Sequence, residues 1–552
     1  MLLTGCEIIM EVLAEQGVDT VFGYPGGQVL NIYDALYKNQ HRIKHVLTAH
    51  EQGASHAADG YSRADGKVGV CIATSGPGAT NLITGLATAH ADSIPVVAIT
   101  GNVPMELIGT DSFQEVDAIG LSIPVTKHSF LVKSIDTLAY TLREAFRFAK
   151  SGRPGPVLVD IPKNVQVAKT EYEPMGEVEK TPDISPDKEL LDEAVKLINN
   201  CKKPVIYCGG GVINGNCSEY VEPLAEKCGA YGVFSMMGLT AMDCENPRHL
   251  GMSGMHGRYA ATKTLTEADL VLAVGVRFTE RATGNKAKFA EHAKIIHLDI
   301  DPAEHGKNID ADLKILGNLK ESLKYIFENV NEKSNPDWDK EVEAYKAKEN
   351  ENRVETNVLM PWNVIEAVNK KASDDTNIAT DVGQHQMWVA QYYKFKKPRT
   401  HLTSGGLGTM GYGMGAAIGA CMATKRRTVL FTGDGSFGMN LNELATAVSQ
   451  NLPLTVVVMN NNRLGMIRQW QSLFFDNHFM ATVLDRKTDF VKLADAFGAK
   501  GFRAENMEEL NSALDKAFAL NSPCVIECII PNDENVLPMV PPNGSVENMI
   551  IK

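Results

Sequence analysis

The sequence predicts an α/β protein of three doubly wound parallel-sheet domains in series. Short β-branched runs alternate with helical stretches along nearly the whole chain, the pattern of βα units with helices on both sheet faces. Two stretches interrupt the alternation, at residues 166–188 and 332–357, dividing the chain into units 1–165, 189–331 and 358–552. The length of 552 residues suits domains of ordinary size.

The first unit opens with Thr4, placed to cap a helix through Gly17. Strands follow at 20–23, running into Tyr24-Pro25-Gly26-Gly27, and at 44–48, ending at His50-Glu51. The run 69–74 meets a Gly-rich turn from Ser75 to Asn81, and 95–100 and 156–160 complete the set. Residues 166–188 are polar, hold three prolines and lack a period, which predicts a surface linker. In the second unit, 203–208 ends at Gly209-Gly210-Gly211, 270–274 at Gly275-Val276-Arg277, and 294–300 at Asp301-Pro302. Residues 332–357 mix Glu with Lys and read as a second connector, partly helical and solvated.

The third unit contains the most informative stretch, 428–470. A strand at 428–432 is broken by Gly433-Asp434-Gly435. A helix at 440–450 presents Leu441, Leu444 and Val448 on one face, and a strand at 452–459 ends at Asn460-Asn461-Asn462. A right-handed βαβ unit brings both strand ends to one sheet edge. Asp434 and Asn461 therefore meet, and a carboxylate beside an amide oxygen suits a hard divalent cation that also holds a diphosphate. Nearby, the span from Gly406 to Gly411 satisfies G-x-G-x-x-G before a helix. The acidic residue a dinucleotide site wants about twenty positions on is replaced by Lys425, Arg426 and Arg427, so NAD is not expected there.

Composition is globular, with 44% hydrophobic and 22% charged residues. A net charge of −13 argues against nucleic acid as the main partner. Ten scattered cysteines without zinc spacing read as reduced thiols in a cytoplasmic protein. Residues 1–17 read as an amphipathic helix with Glu7, Glu11 and Glu15, not a leader, and a fold beginning near Met1 leaves no room for a transit peptide. No apolar run reaches the roughly 18 residues of a membrane span.

The stretch 428–470 resembles the thiamine diphosphate (ThDP) signature of the pyruvate oxidase and decarboxylase superfamily. Its continuation, Gly465-Met466-Ile467-Arg468-Gln469-Trp470-Gln471, is similar to the acetohydroxyacid synthase (acetolactate synthase) large catalytic subunits. The resemblance covers essentially the whole chain. It implies a pyrimidine-binding first domain, an FAD-binding-type middle domain and a diphosphate-binding third domain. It also implies Mg²⁺ held by Asp434, Asn461 and the Arg463 carbonyl. Phosphate donors are implied at Gly383, Gln384, His385, Gly433, Gly435 and Ser436, with Gly408, Gly465 and Met466 also at the cofactor and Met410 propping it into a bent shape. Glu51 becomes the activating carboxylate, hydrogen-bonded to the pyrimidine ring so that the cofactor's own amino group can take the thiazolium proton.

The same resemblance implies FAD contacts at Arg153, Gly209, Gly210, Gly211, Met255, His256, Gly257, Gly275, Arg277 and Asp299. Two departures stand out: Thr279-Glu280 replaces the usual Asp-Asp between Phe278 and Arg281, and Gly317-Asn318 replaces a usual Gly-Asp. Substrate residues are implied at Gly27, Gln114, Lys163, Met255, Arg281 and Trp470. Arg281 would clamp a carboxylate with its planar guanidinium, and Trp470 would choose the second substrate. The implied reaction decarboxylates pyruvate and transfers the two-carbon unit to a second pyruvate or to 2-oxobutanoate, with a non-redox FAD, in branched-chain amino-acid biosynthesis. Implied partners are a second copy or a tetramer, and a small regulatory subunit. The rivals are a flavin-free catabolic acetolactate synthase, a flavin-redox pyruvate oxidase, and a scaffold without catalysis. A simple decarboxylase often carries a His-His pair, which this chain lacks.

Overall fold

The computed structural model describes residues 1–350 and 358–551. Each unit carries a six-stranded parallel sheet covered by helices. The first sheet runs in space Lys44–Leu47, Thr20–Gly23, Gly69–Ala73, Val96–Asn102, Val157–Pro162, His128–Leu131. The third runs His401–Leu402, Asn377–Thr380, Thr428–Gly433, Leu454–Asn460, Cys524–Ile529, Lys500–Ala504. With strands numbered inside each unit, both read 2-1-3-4-6-5. The middle sheet runs His249–Met252, Tyr231–Phe234, Pro204–Cys208, Leu270–Val274, Lys294–Asp299, Leu313–Leu316, which is 3-2-1-4-5-6. That last order opens a crevice between strands 1 and 4 at their carboxyl ends, where dinucleotide folds bind.

Several sequence expectations change in detail. Thr4 caps the first helix in a reciprocal box with Glu7, but the helix is Gly5–Glu15 and stops short of the left-handed Gly17. The strand expected at 428–432 continues through Gly433, and Asp434 opens a helix instead of lying in a sharp turn. The helix expected at 440–450 is two pieces, Asp434–Asn440 and Glu443–Ser449. Asn440 spends its side chain on the Gly411 carbonyl, and Glu443 turns its carboxylate to the first domain.

Neither connector is a free linker. Lys169–Glu171 pairs antiparallel with Leu2–Thr4, and Tyr172 is buried against the first domain. Helix Pro336–Asn350 packs on the middle domain, with Trp338 buried edge-on to Tyr231 at 6.4 Å. Residues 351–357 of that expected connector lie outside the described residues.

The first and third domains join through equivalent helices, Glu51–Asp65 and Tyr412–Thr424. A Cβ on Gly60 would lie 2.2 Å from the Ala416 carbonyl oxygen, and one on Gly419 would lie 1.9 Å from that of Ala57. Only glycine lets the backbones approach so closely. Arg63 is buried beside them, bonded to Asp59 at 2.6 Å and Asp92 at 2.9 Å, and Tyr412 donates to Asp59. Past the last strand the chain returns to the middle domain, where Val540 N–H donates to Met255 O at 2.8 Å and Asn285 N–H to Gly544 O at 3.0 Å.

Candidate active site

The candidate functional residues gather in three places. The first is the carboxyl edge of the third sheet, at the switch between Asn377–Thr380 and Thr428–Gly433. Parallel pairing of Thr428–Gly433 with Leu454–Asn460 sets Gly433 opposite Met459, two residues before Asn461. The Asn461 N–H bonds the Asp434 carboxylate, so these two residues do meet. Burial raises the Asp434 carboxyl to about 6, a cost that a bound cation relieves by favouring the ionised form. Asn461 Oδ1 accepts Arg463 N–H at 3.0 Å, a side-chain-to-backbone turn that joins the two residues.

His385 lies against this edge, its Nδ1 3.1 Å from where a Gly433 Cβ would stand. Its Nε2 is buried without a partner, and burial lowers the ring to about 3. The ring also bonds the Asp381 backbone, so Nε2 can donate to a phosphate oxygen only as the doubly protonated imidazolium, a form the phosphate's own charge would favour. Gly383, at φ 154°, leaves that ring room, since a Cβ there would meet it at 2.8 Å. Two expected phosphate donors are already engaged. Ser436 Oγ donates to Val382 O at 2.6 Å. Gln384 donates its amide to Gln469 Oε1 at 3.0 Å and Glu534 O at 2.8 Å, which leaves its backbone N–H for an anion. Met410 reaches within 3.9 Å of the Cβ position of Gly435.

The second place is the edge of the first sheet. Glu51 starts its helix, and its carboxylate accepts Asn81 Nδ2 at 3.0 Å. The turn before it is held from the third domain: Glu443 accepts Ala49 N–H at 3.1 Å and His50 N–H at 3.0 Å. Burial raises the Glu443 carboxyl, while these donors oppose the rise. Lys163 follows the strand Val157–Pro162, and the exposed Gly27 follows Thr20–Gly23. Gln114 stands at φ 60° against Gly76. Among the described residues, no hydrogen bond or ion pair joins Glu51, Gln114 or Lys163 to Asp434, Arg281 or Trp470.

The third place is a cavity of about 860 Å³ at the crevice of the middle sheet. Its walls include Gly209, Gly210, Gly211, Gly275, Arg277 and Asp299, the carboxyl ends of strands 1, 4 and 5. Gly211 and Gly275 touch so closely that a Cβ on Gly275 would lie 2.5 Å from Gly211 Cα. His256 lines it with an unpartnered Nε2, and Arg153 lines it while bonded to Asp301 and Glu304. Gly257 is not part of the wall; a Cβ there would strike the Ser253 backbone at 2.5 Å, so its place is in the turn behind. Gly408 and Met466 from the third domain complete the lining.

At one mouth Met255, Arg281 and Trp470 converge. Arg281 Nη1 is 2.7 Å from Met255 Sδ, and its guanidinium lies over the Trp470 ring at 5.3 Å. At the other end Asn318 caps the helix Leu319–Asn329 and donates to Asp183 Oδ2 at 2.7 Å. The departure at 318 thus brings a carboxylate from the first connector to the cavity wall.

The family models agree with this division. Residues 3–121 match the thiamine pyrophosphate enzyme N-terminal TPP binding domain, 191–326 its central domain, and 381–528 its C-terminal TPP binding domain. Full-length similarity decides the branch. The acetolactate synthase isozyme 2 large subunit of Escherichia coli is 44% identical over 100% of both chains. The acetolactate synthase of Mycobacterium bovis is 45% identical over 98% of this chain and 90% of its own. The probable acetolactate synthase large subunit of Methanocaldococcus jannaschii is 43% identical over 99% and 95%. The chain belongs to the acetolactate synthase large subunits. It is a ThDP-dependent acetolactate synthase of the biosynthetic type. An acetolactate synthase needs a diphosphate anchor, an activating carboxylate and room for 2-oxo acids. The candidate residues for these lie on three different sheet edges. Among the described residues no helix is long and apolar enough to cross a membrane.

Sequence reasoning missed Glu443, Gln469, Asp183 and the C-terminal tail. Their partners lie from 67 to 394 residues away, beyond any local pattern. The only sequence signal was that Gln469 adjoins Trp470 in the stretch Arg468-Gln469-Trp470-Gln471.

Proposed function

We propose that the enzyme decarboxylates pyruvate and joins the two-carbon unit to a second pyruvate or to 2-oxobutanoate, giving 2-acetolactate or 2-aceto-2-hydroxybutanoate. The observation that carries this reading is the convergence of Met255, Arg281 and Trp470 at the cavity mouth. ThDP, when bound, supplies the carbon nucleophile that adds to a 2-oxo acid and retains two carbons as carbon dioxide leaves. Glu51 would hold a proton at a pyrimidine ring nitrogen of the bound cofactor and so, through ring conjugation, make the amino group across the ring a base. Arg281 takes the acceptor's carboxylate in a two-pronged grip. Trp470 offers an apolar wall to the extra methyl of 2-oxobutanoate, an increment of about 1–3 kcal/mol. Gln114, Lys163 and Gly27 border the approach on the first-domain side.

The donor set at the third sheet edge fits Mg²⁺: Asp434, Asn461 and the Arg463 carbonyl would hold it, with diphosphate and water completing about six oxygens. The strand order, the Gly211–Gly275 contact and the unpartnered His256 nitrogen fit FAD in the middle cavity. The reaction has no net redox change, so its role there is structural. Flavin fit favours the biosynthetic enzyme over the flavin-free catabolic one.

Glu51 and Asp434 are read as parts of one ThDP site built across two copies, which makes the working unit a homodimer or a tetramer of such pairs. Exposed apolar side chains support this. Tyr24, Leu30, Leu47 and Phe113 lie on the first domain, and Met439, Ile467, Phe475 and Met480 on the third. The relatives' names as large subunits support a small regulatory partner. The enzyme then works in the cytoplasm on the path to branched-chain amino acids. The test is product analysis with both acceptors in competition, omitting ThDP, Mg²⁺ or FAD in turn. Both acetohydroxy acids are expected, with full dependence on ThDP and Mg²⁺. Peroxide or reduced dye at the rate of pyruvate loss would instead make it an oxidase.

A further inference from the structure

Gln469 precedes Trp470 in the helix Gly465–Phe474 and is its one buried residue, 2% exposed. Its side-chain amide is bonded on both sides. Nε2 donates to Val536 O at 3.1 Å, and Oε1 accepts Val536 N–H at 2.8 Å. The same Oε1 accepts Gln384 Nε2 at 3.0 Å. Gln384 in turn donates to Glu534 O and accepts Asn461 Nδ2 at 3.4 Å. Gly465 permits this, since a Cβ there would lie 1.9 Å from Gln384 Oε1. Four residues beyond Val536, Val540 N–H holds the Met255 carbonyl. One chain of amides therefore links the cation corner at Asn461, the Trp470 helix, and the tail that grips Met255.

We infer that Gln469 is a positioning residue for acceptor choice: it sets Trp470 and Met255 at a fixed spacing by pinning the Trp470 helix to the tail at Val536. Arg468 also pairs with Asp533 of the tail, Gln471 bonds Met480 O and Thr482, and Met466 packs on the core, but these positions are exposed or only half-buried, and Gln469 is the helix's one buried tie. A Gln amide that both donates to and accepts from one backbone unit defines angle as well as distance. Loss of that pairing leaves the Val536 N–H and C=O buried without partners, so the tail shifts rather than remaining in place. Trp470 and Met255 then separate, although neither is altered.

This inference rests on Trp470 selecting the acceptor, so Trp470→Leu is measured beside it. Each holoenzyme is given pyruvate and 2-oxobutanoate in competition, with product ratio, KM for each acceptor and thermal midpoint recorded. Gln469→Met is expected to lower the preference for 2-oxobutanoate about tenfold, toward that of Trp470→Leu, chiefly through acceptor KM. Gln469→Glu gives a second, independent reading. A neutral carboxylic acid there still donates to Val536 O and accepts Val536 N–H, whereas a carboxylate only accepts. Burial raises the pKa of such a carboxyl, so wild-type preference is expected at acid pH and its loss as pH rises, measured against wild type at each pH. If Gln469→Met does not fold, the pH dependence of Gln469→Glu decides. An unchanged product ratio in the folded Gln469→Met enzyme, or a pH-independent ratio in Gln469→Glu, overturns the inference. An unchanged ratio in Trp470→Leu instead overturns the reading of Trp470.

Discussion

The outer domains repeat one strand order, 2-1-3-4-6-5, while the middle domain has another, 3-2-1-4-5-6. The surfaces differ in the same way. Large apolar side chains stand exposed on both outer domains, whereas residues 189–331 expose none among the described residues. The middle crevice is walled within one chain by its own glycine turns and by residues of both outer domains. On the function proposed above, the outer edges would each carry half of a ThDP site, with the activating carboxylate on one and the cation ligands on the other. In that reading, closed surface goes with a complete site and open apolar surface with a half-site.

The largest way to break this contrast is Glu51→Gln. It leaves the Asn81 contact available, so folding is retained, while acetolactate formation falls about 10²–10⁴-fold, the worth of a positioned proton-transfer partner. Activity equal to wild type would remove Glu51 from the outer half-site. Next, Asp434→Asn is expected to raise the Mg²⁺ concentration for half-activity about a hundredfold or more, since it loses a charge-assisted contact to the cation. Flavin content, read by absorbance of the released cofactor, stays unchanged if the middle cavity is independent.

Two further changes weigh the scaffold. Gly419→Val forces a side chain into the Ala57 carbonyl and is expected to cost about 3 kcal/mol, lowering the thermal midpoint and loosening the two outer domains together. Asp160 is buried, accepts Thr100 Oγ1 and Asn102 Nδ2 at 2.6 Å each, and is raised by burial from 3.8 to about 6. Its pKa is higher folded than unfolded, so its stabilising term is full below the unfolded value and is lost as pH rises through about 6. Cofactor-free wild type should therefore lose up to about 3 kcal/mol from this group between the two values. Asp160→Asn should flatten that part of the stability profile, as followed by denaturant unfolding.

The smallest effect sharpens the middle domain. Asp183 Oδ1 is buried without a partner at the cavity wall, while Oδ2 holds Asn318 and Lys180. Asp183→Ala is expected to weaken FAD about tenfold and leave FMN binding unchanged, the pattern of a lost contact at the adenine end. Equal loss for both flavins would move the effect to the ring end.

Much of this was legible in order of locality. The β-branched runs disclosed the three sheets because interior parallel strands are buried on both faces. Edge strands such as His128–Leu131 and His401–Leu402 are short or partly exposed and left no such run. Asp434 and Asn461 were paired correctly because one βαβ unit forces them together. Gln384 and Ser436 were read as phosphate donors, yet their side chains face protein partners that only the folded chain supplies. The first connector looked free because Tyr172 is a single aromatic in polar surroundings; in the second, the inward face of Trp338, Val342 and Tyr345 is narrow and was masked by the surrounding Glu and Lys. The shared order of the outer domains could not be seen, since strand order is a property of pairing and not of pattern.

The division between a closed middle and paired outer halves is tested most directly by complementation. Glu51→Gln and Asp434→Asn subunits, each nearly inactive alone, are mixed under conditions that exchange subunits. Hybrid dimers carry both changes in one ThDP site and none in the other, so activity should return to about a quarter of wild type. Mixtures no more active than their parents would contradict the account and return Glu51 and Asp434 to a single chain.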